Sequence, residues 1–120
     1  SRLEFSKNIR SDIVTNALAF IQQQRLNNIS LRDVAHEVNK SEGYLANLVK
    51  KATGFTVGDW IRKSRLTEAC KHLLHTQKSI EDIAFQTGWK DTTHFIRQFK
   101  KEFNTTPAQW RKSNLAKIIE

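Results

Sequence analysis

The chain states nearly the same pattern twice. At an offset of 49 residues, Ser30, Leu31, Asp33, Val34 and Ala35 are matched by Ser79, Ile80, Asp82, Ile83 and Ala84. At an offset of 50, Leu45, Val49, Lys50, Lys51, Thr56 and Trp60 are matched by Phe95, Phe99, Lys100, Lys101, Thr106 and Trp110. The change of offset puts one extra residue in the turn of the second copy. A repeat of this length is usually one supersecondary unit used twice. In a basic chain, two helix–turn–helix copies predict two probes for neighbouring grooves of one DNA duplex.

Glycine is sparse and the only proline is Pro107, which favours helices throughout. Ser11 or Asp12 is expected to cap a helix reaching about Gln24, with Ile13, Ala17, Phe20 and Ile21 on one face. Ser30 is a natural N-cap, with Asp33 three residues on, for a helix from Leu31 to Val38. After the turn at Asn39-Lys40, Ser41 caps a helix to about Thr53 whose inner positions are Leu45, Leu48, Val49 and Ala52, closed by Gly54. A long helix is predicted from about Val57 to His75. The second unit starts at Ser79, turns at Gly88 and continues from an Asp91 or Thr92 cap to about Phe103. Pro107 opens a short final helix, where its missing N–H costs nothing. The expected organisation is all-α with about seven helices. It comprises a linker stub (1–10), a first helix-turn-helix subdomain (11–55), a connecting helix (56–76), a second helix-turn-helix subdomain (77–113) and a C-terminal tail (114–120).

Twenty Lys and Arg oppose twelve Asp and Glu, a net charge of +8, which favours a polyanionic partner. The single cysteine, Cys70, allows no disulfide within the chain and fits a reducing cytoplasm. No apolar run is long enough to span a bilayer, so no membrane partner is expected. No cofactor and no enzymatic activity are expected, since the chain has no phosphate-cradling glycine loop, no HExxH and no paired carboxylates. His72 and His75 share a helical face but lack a third metal ligand, so no metal site is assigned. Cys70 falls on the buried stripe of the long helix, the place of a core thiol.

A recognition helix must bury one face and leave the other open to base edges. In the first unit the open face carries Glu42, Gly43, Ala46, Asn47 and Lys50, and in the second Thr92, Thr93, Ile96, Arg97 and Lys100. Arg97 can bond a guanine bidentately and Asn47 an adenine, while Ile96 and Ala46 suit thymine methyls. Thr92 and Thr93 can bond bases or phosphates. The alternatives are a solvated Arg97, a surface Asn47 and an Ile96 that pads a neighbouring helix. The repeated pairs Lys50-Lys51 and Lys100-Lys101 suit phosphates, which position without specifying. Ser30 and Ser79 open helices whose first N–H groups suit phosphates too. Trp60 and Trp110 close each unit and read as core, and Trp89 is placed to pack on the second recognition helix.

Taken together, these residues resemble the DNA-binding domain of the AraC/XylS family of bacterial transcription regulators. The resemblance covers about Ser11 to Ser113. Its most specific segment is Ile83-Ala84, Gly88-Trp89, Phe95, Phe99-Lys100 and Pro107 followed by Trp110-Arg111. The first unit matches through Leu31, Val34-Ala35, Ser41, Leu45, Phe55, Ile61, Arg65 and Ala69. The resemblance implies two helix-turn-helix motifs joined by the long helix, reading successive major grooves of double-stranded DNA about 34 Å apart. It implies base contacts at Gly43, Ala46 and Asn47 and at Thr92, Thr93, Ile96 and Arg97. Phosphate contacts are expected at Ser30, Ser41, Lys50, Lys51, Arg65, Ser79, Lys100 and Lys101. It further implies an activator, contact with RNA polymerase, and an N-terminal effector-binding or dimerisation domain in a longer parent. A stand-alone regulator of the same fold, a non-specific DNA binder and a protein-interaction module are the other readings. Family members often carry larger residues where Gly43 and Ala46 stand, so more sequence discrimination is expected from the second unit.

Overall fold

The computed structural model describes residues 2–119, and Ser1 and Glu120, the outermost residues of the expected stub and tail, lie outside them. Seven α-helices are formed among the described residues: α1 Arg2–Gln24, α2 Leu31–Glu37, α3 Glu42–Thr53, α4 Val57–His75, α5 Ile80–Gln86, α6 Thr92–Phe103 and α7 Pro107–Ile119. They form two compact units, Ser1–Ser64 and Arg65–Glu120, with the division inside α4.

The first unit is built on a core of Ile13, Ala17, Ile21, Val34, Ala35, Leu45, Val49, Val57 and Ile61. The second is built on Leu66, Ala69, Leu73, Ile83, Ala84, Trp89, Phe95 and Phe99. Each end of α4 therefore belongs to a different core. The helices of seven residues, α2 and α5, are too short to persist alone and depend on this burial.

The repeat is visible bond by bond. Helices α2 and α5 both end in a Schellman arrangement. Asn39 donates its N–H to the His36 carbonyl at 3.1 Å and Lys40 to the Ala35 carbonyl at 3.0 Å. In the second unit Gly88 donates to Phe85 at 3.3 Å and Trp89 to Ala84 at 3.0 Å. Asn39 and Gly88 hold the left-handed position, with φ of 57° and 90°. The next helices are capped alike: the Ser41 hydroxyl accepts from the Tyr44 N–H at 3.2 Å, and the Asp91 carboxylate from the His94 N–H at 2.7 Å. Both recognition helices end left-handed, at Gly54 (φ 82°) and Asn104 (φ 59°).

The two units differ in how they close. Trp60 donates its indole N–H to the Thr53 hydroxyl at 2.9 Å, and that hydroxyl donates to the Val49 carbonyl at 2.8 Å. In the second unit Phe103 replaces Thr53. Trp110 packs edge-on to Phe99, centroids 6.0 Å apart, and against Phe103 at 6.2 Å. Arg111 clamps the end of α4, donating from Nε to the Leu73 carbonyl at 3.0 Å and from Nη2 to the Thr76 carbonyl at 3.4 Å.

Two helix ends and one buried position differ from the sequence expectation. The first helix starts at Arg2 rather than at a Ser11 or Asp12 cap, so residues 2–10, expected as a linker stub, are helical. No glycine or proline interrupts them, and Glu4 in the first turn suits the positive end of the helix dipole. The last helix is not short. It continues through the expected tail to Ile119, with Asn114 Nδ2 donating to the Trp110 carbonyl at 2.8 Å. Ala52, expected inside, is exposed, since the face of α3 that is buried is set by Leu45 and Val49.

The start of α4 carries a reciprocal cap. Thr56 donates its N–H to Asp59 Oδ2 at 2.9 Å, and the Asp59 N–H donates to the Thr56 hydroxyl at 3.0 Å. The Thr56 N–H, with help from the Thr56 hydroxyl and Arg62, lowers the Asp59 carboxyl to about 2 from its usual 3.8. A carboxyl depressed in the folded chain stabilises it fully above its unfolded pKa, and that contribution is lost as pH falls through the folded one. Acidification between about pH 4 and pH 2 is therefore expected to lower the thermal midpoint more in the wild type than in Asp59→Asn. Thr56→Ala is expected to cost about 1 kcal/mol of stability by denaturant titration.

Candidate nucleic-acid interface

Helices α3 and α6 each anchor one face and leave the other open. Leu45 and Val49 are buried in α3, and Phe95 and Phe99 in α6. The anchors of α6 are larger and pack ring against ring, Phe95 to Phe99 at 5.9 Å and Phe99 to Phe103 at 4.5 Å. Trp89 adds to them from the turn, 5% exposed and with its ring 5.7 Å from Phe95.

The expected base readers fall on these two helices. In α3, Gly43 and Asn47 are exposed and Ala46 is half-buried. No atom stands within 4 Å of where a Cβ on Gly43 would be, so that position is open and presents backbone only. In α6, Thr93 and Arg97 are exposed and Thr92 is half-buried. Ile96 is half-buried and packs against the second core, so it offers a base only part of its surface.

The expected phosphate contacts divide in a similar way. Lys50, Lys51, Lys100 and Lys101 are exposed in the last turns of α3 and α6. Lys50 is folded back, donating from Nζ to the Gly54 carbonyl at 2.8 Å, where it caps its own helix. The Ser41 and Ser79 hydroxyls accept cap bonds from the Tyr44 and Asp82 N–H groups at 3.2 and 3.1 Å. Their own O–H hydrogens stay free to donate. The Ser30 hydroxyl is committed, donating to Asp33 Oδ2 at 3.2 Å. Arg65 is half-buried, and burial lowers its pKa.

Two ring side chains stand at equivalent positions: Tyr44, which the sequence places half-buried with its hydroxyl outward and which is in fact 43% exposed, and His94, which the sequence does not single out. Both sit in the first turn of their recognition helix and both are exposed. The Lys40 ammonium lies over the Tyr44 ring, 5.8 Å from its centroid, and His94 meets Trp89 edge-on at 5.4 Å. The signal that could have found them is the offset of 50, which pairs them as it pairs the buried anchors.

Burial pushes the Cys70 thiol up to about 11, so it is protonated at neutral pH and a poor nucleophile. His72 lies 3.9 Å from Glu68 on the same helix, and no group of three metal-ligating side chains occurs among the described residues. No described helix is long and apolar enough to cross a membrane.

Comparison with known proteins bears on this surface. Residues 34–113 match the family model described as "Helix-turn-helix domain". The chain is 38% identical over 104 residues to "Probable transcription factor PqrA" of Proteus vulgaris, covering 85% of each. Among solved structures it resembles a transcriptional regulator of Chromobacterium violaceum described by its AraC-type DNA-binding domain, with a TM-score of 0.81, 27% identity and coverage of 85% of this chain and 91% of that one. The fold is also that of the AdpA DNA-binding domain, solved in complex with a target DNA, with a TM-score of 0.80, 16% identity and coverage of 87% and 94%. The paired, half-buried recognition helices and these matches lead to one conclusion: the chain belongs to the AraC family of helix-turn-helix, DNA-binding transcription regulators.

Proposed function

We propose that α3 and α6 enter successive major grooves of one double-stranded DNA site in the bacterial cytoplasm, and that the chain activates transcription by binding rather than by catalysis. The observation that carries this reading is that two helices capped and anchored at corresponding positions expose different side chains. Corresponding scaffolds with different open faces suit an asymmetric site. Arg97, Thr92, Thr93 and part of Ile96 read bases in the second block, and Asn47, Ala46 and the open backbone at Gly43 do so in the first. Lys51, Lys100, Lys101, Ser41, Ser79 and the exposed part of Arg65 bond phosphates. Lys50 and Ser30 do so only by giving up the local bonds they already make. The discrimination rests mainly on the second unit, because a bidentate arginine is worth about 1–3 kcal/mol against a wrong base and Gly43 offers no side chain.

Contact with RNA polymerase is favoured by one surface. Phe85 on α5 is 82% exposed, with the exposed carboxylates Glu81 and Asp82 one turn before it. The first unit has His36 in place of Phe85 and Arg32 in place of Glu81. A face that turns acidic and aromatic suits a basic protein surface with an apolar notch.

Selection from a random duplex library at near-physiological salt is expected to enrich an asymmetric motif of two blocks about ten base pairs apart. Enrichment without preference under the second block would overturn the assignment of Arg97. On the selected site, Arg97→Ala is expected to relax one base position. Lys100→Ala is expected to weaken all sequences alike and flatten the log–log salt slope by about 0.9. Phe85→Ala is expected to leave DNA affinity unchanged and to lower transcription from a promoter carrying that site severalfold. Unchanged transcription would remove the α5 face from the reading.

A further inference from the structure

Between the left-handed residue that ends α2 or α5 and the N-cap that opens α3 or α6, the first unit has one residue, Lys40, and the second has two, Trp89 and Lys90. Lys40 does two things at once. Its backbone N–H closes the Schellman bond to Ala35, as that of Trp89 does to Ala84. Its side chain stands immediately before the N-cap, as that of Lys90 does. The extra residue lets the second unit divide these tasks: Trp89 is buried against Phe95, and the lysine is kept at the surface beside the helix start.

We propose that Lys40 and Lys90 are a matched pair of phosphate-positioning residues, one at the entrance of each recognition helix. The proposal rests on the DNA-binding reading and adds to it a pair that the offset of 50 aligns, both standing immediately before an N-cap. Recognition helices address the groove with their N-terminal residues. Lys50 and Lys100 lie eight residues into α3 and α6, about 12 Å further along at 1.5 Å per residue. Lys40 and Lys90 flank the end that goes in first. Both are exposed, and among the described residues neither has an ion-pair partner. Lys40 stands only over the Tyr44 ring, 5.8 Å from its centroid, whereas Lys50 and Lys78 are hydrogen-bonded to the Gly54 carbonyl at 2.8 Å and the Gln86 carboxamide oxygen at 2.6 Å.

The two lysines do not carry equal weight. The first recognition helix is capped by neutral Ser41, the second by the carboxylate of Asp91. A carboxylate beside the approaching phosphate repels it, and Lys90 is the adjacent residue that offsets the charge. Removing Lys90 therefore costs more affinity than removing Lys40, and removing the Asp91 charge while keeping a cap returns part of the loss.

The test uses the whole chain and two duplexes, the selected site and a random sequence, titrated from low to near-physiological salt. Lys40→Ala and Lys90→Ala are each expected to weaken both duplexes alike and to flatten the log–log salt slope by about 0.9, with Lys90→Ala the weaker binder. Asp91→Ser placed on Lys90→Ala is expected to recover affinity at low salt, and Lys90→Arg to keep the wild-type slope. A thermal midpoint within a degree or two of wild type shows that each variant is folded; if an alanine variant melts early, Lys→Gln takes its place. An unchanged slope in both lysine variants, or a loss confined to one base position, would overturn the proposal. Salt-insensitive or absent duplex binding by the wild type would overturn the DNA reading and this proposal with it.

Discussion

A recognition helix has to be held firmly by one face while the other is given away. In this chain that constraint falls on helices of 12 residues, each fixed by two fully buried anchors, Leu45 and Val49 or Phe95 and Phe99. Most of the remaining structure serves those anchors. Helices α2 and α5 supply Val34-Ala35 and Ile83-Ala84 to the same cores. The two ends of α4 supply Val57 and Ile61 to one core and Leu66, Ala69 and Leu73 to the other. The exposed faces of α3 and α6 can then vary without disturbing the fold, because nothing on them contributes to the cores except the inner edge of Ile96.

Much of this was legible because it repeats. Caps, left-handed turns and buried apolar positions recur at offsets of 49 and 50, and the point where the offset changes is the turn in which Trp89 and Lys90 replace Lys40. The coincidence of spacing with capping residues also placed α4 at Val57–His75. Periodicity located faces less well where a residue lies at the edge of a buried stripe. Ala52 and Ile96 sit at such edges, the first exposed and the second half-buried against the second core. The ends of α1 and α7 were not legible for a different reason. A terminal segment without glycine, proline or a clear apolar period can be helix or coil, and a single acid or amide in a terminal turn is a weak signal of which.

The interface residues were legible as types rather than as states. From sequence, Lys50 and Lys100 look equivalent; in the folded chain Lys50 is bound to the Gly54 carbonyl, which the left-handed glycine presents to it. Ser30, Ser41 and Ser79 look like three equal caps. Yet the Ser30 hydroxyl donates to Asp33, whereas the other two accept from the backbone and keep their hydrogens. Such differences arise from local hydrogen-bond geometry, which spacing does not encode.

The same geometry argues that the two probes are unequal by construction. The second is anchored by four aromatic rings with Trp110, and begins from a carboxylate cap that holds the His94 N–H at 2.7 Å. The first is anchored by aliphatic side chains, begins from a serine cap at 3.2 Å and has an unshielded glycine in its first turn. Under the proposed reading, the helix that presents Arg97 supplies most of the base discrimination and the helix that presents Gly43 and Ala46 supplies mainly backbone contact, and two different open faces on one chain suit an asymmetric site.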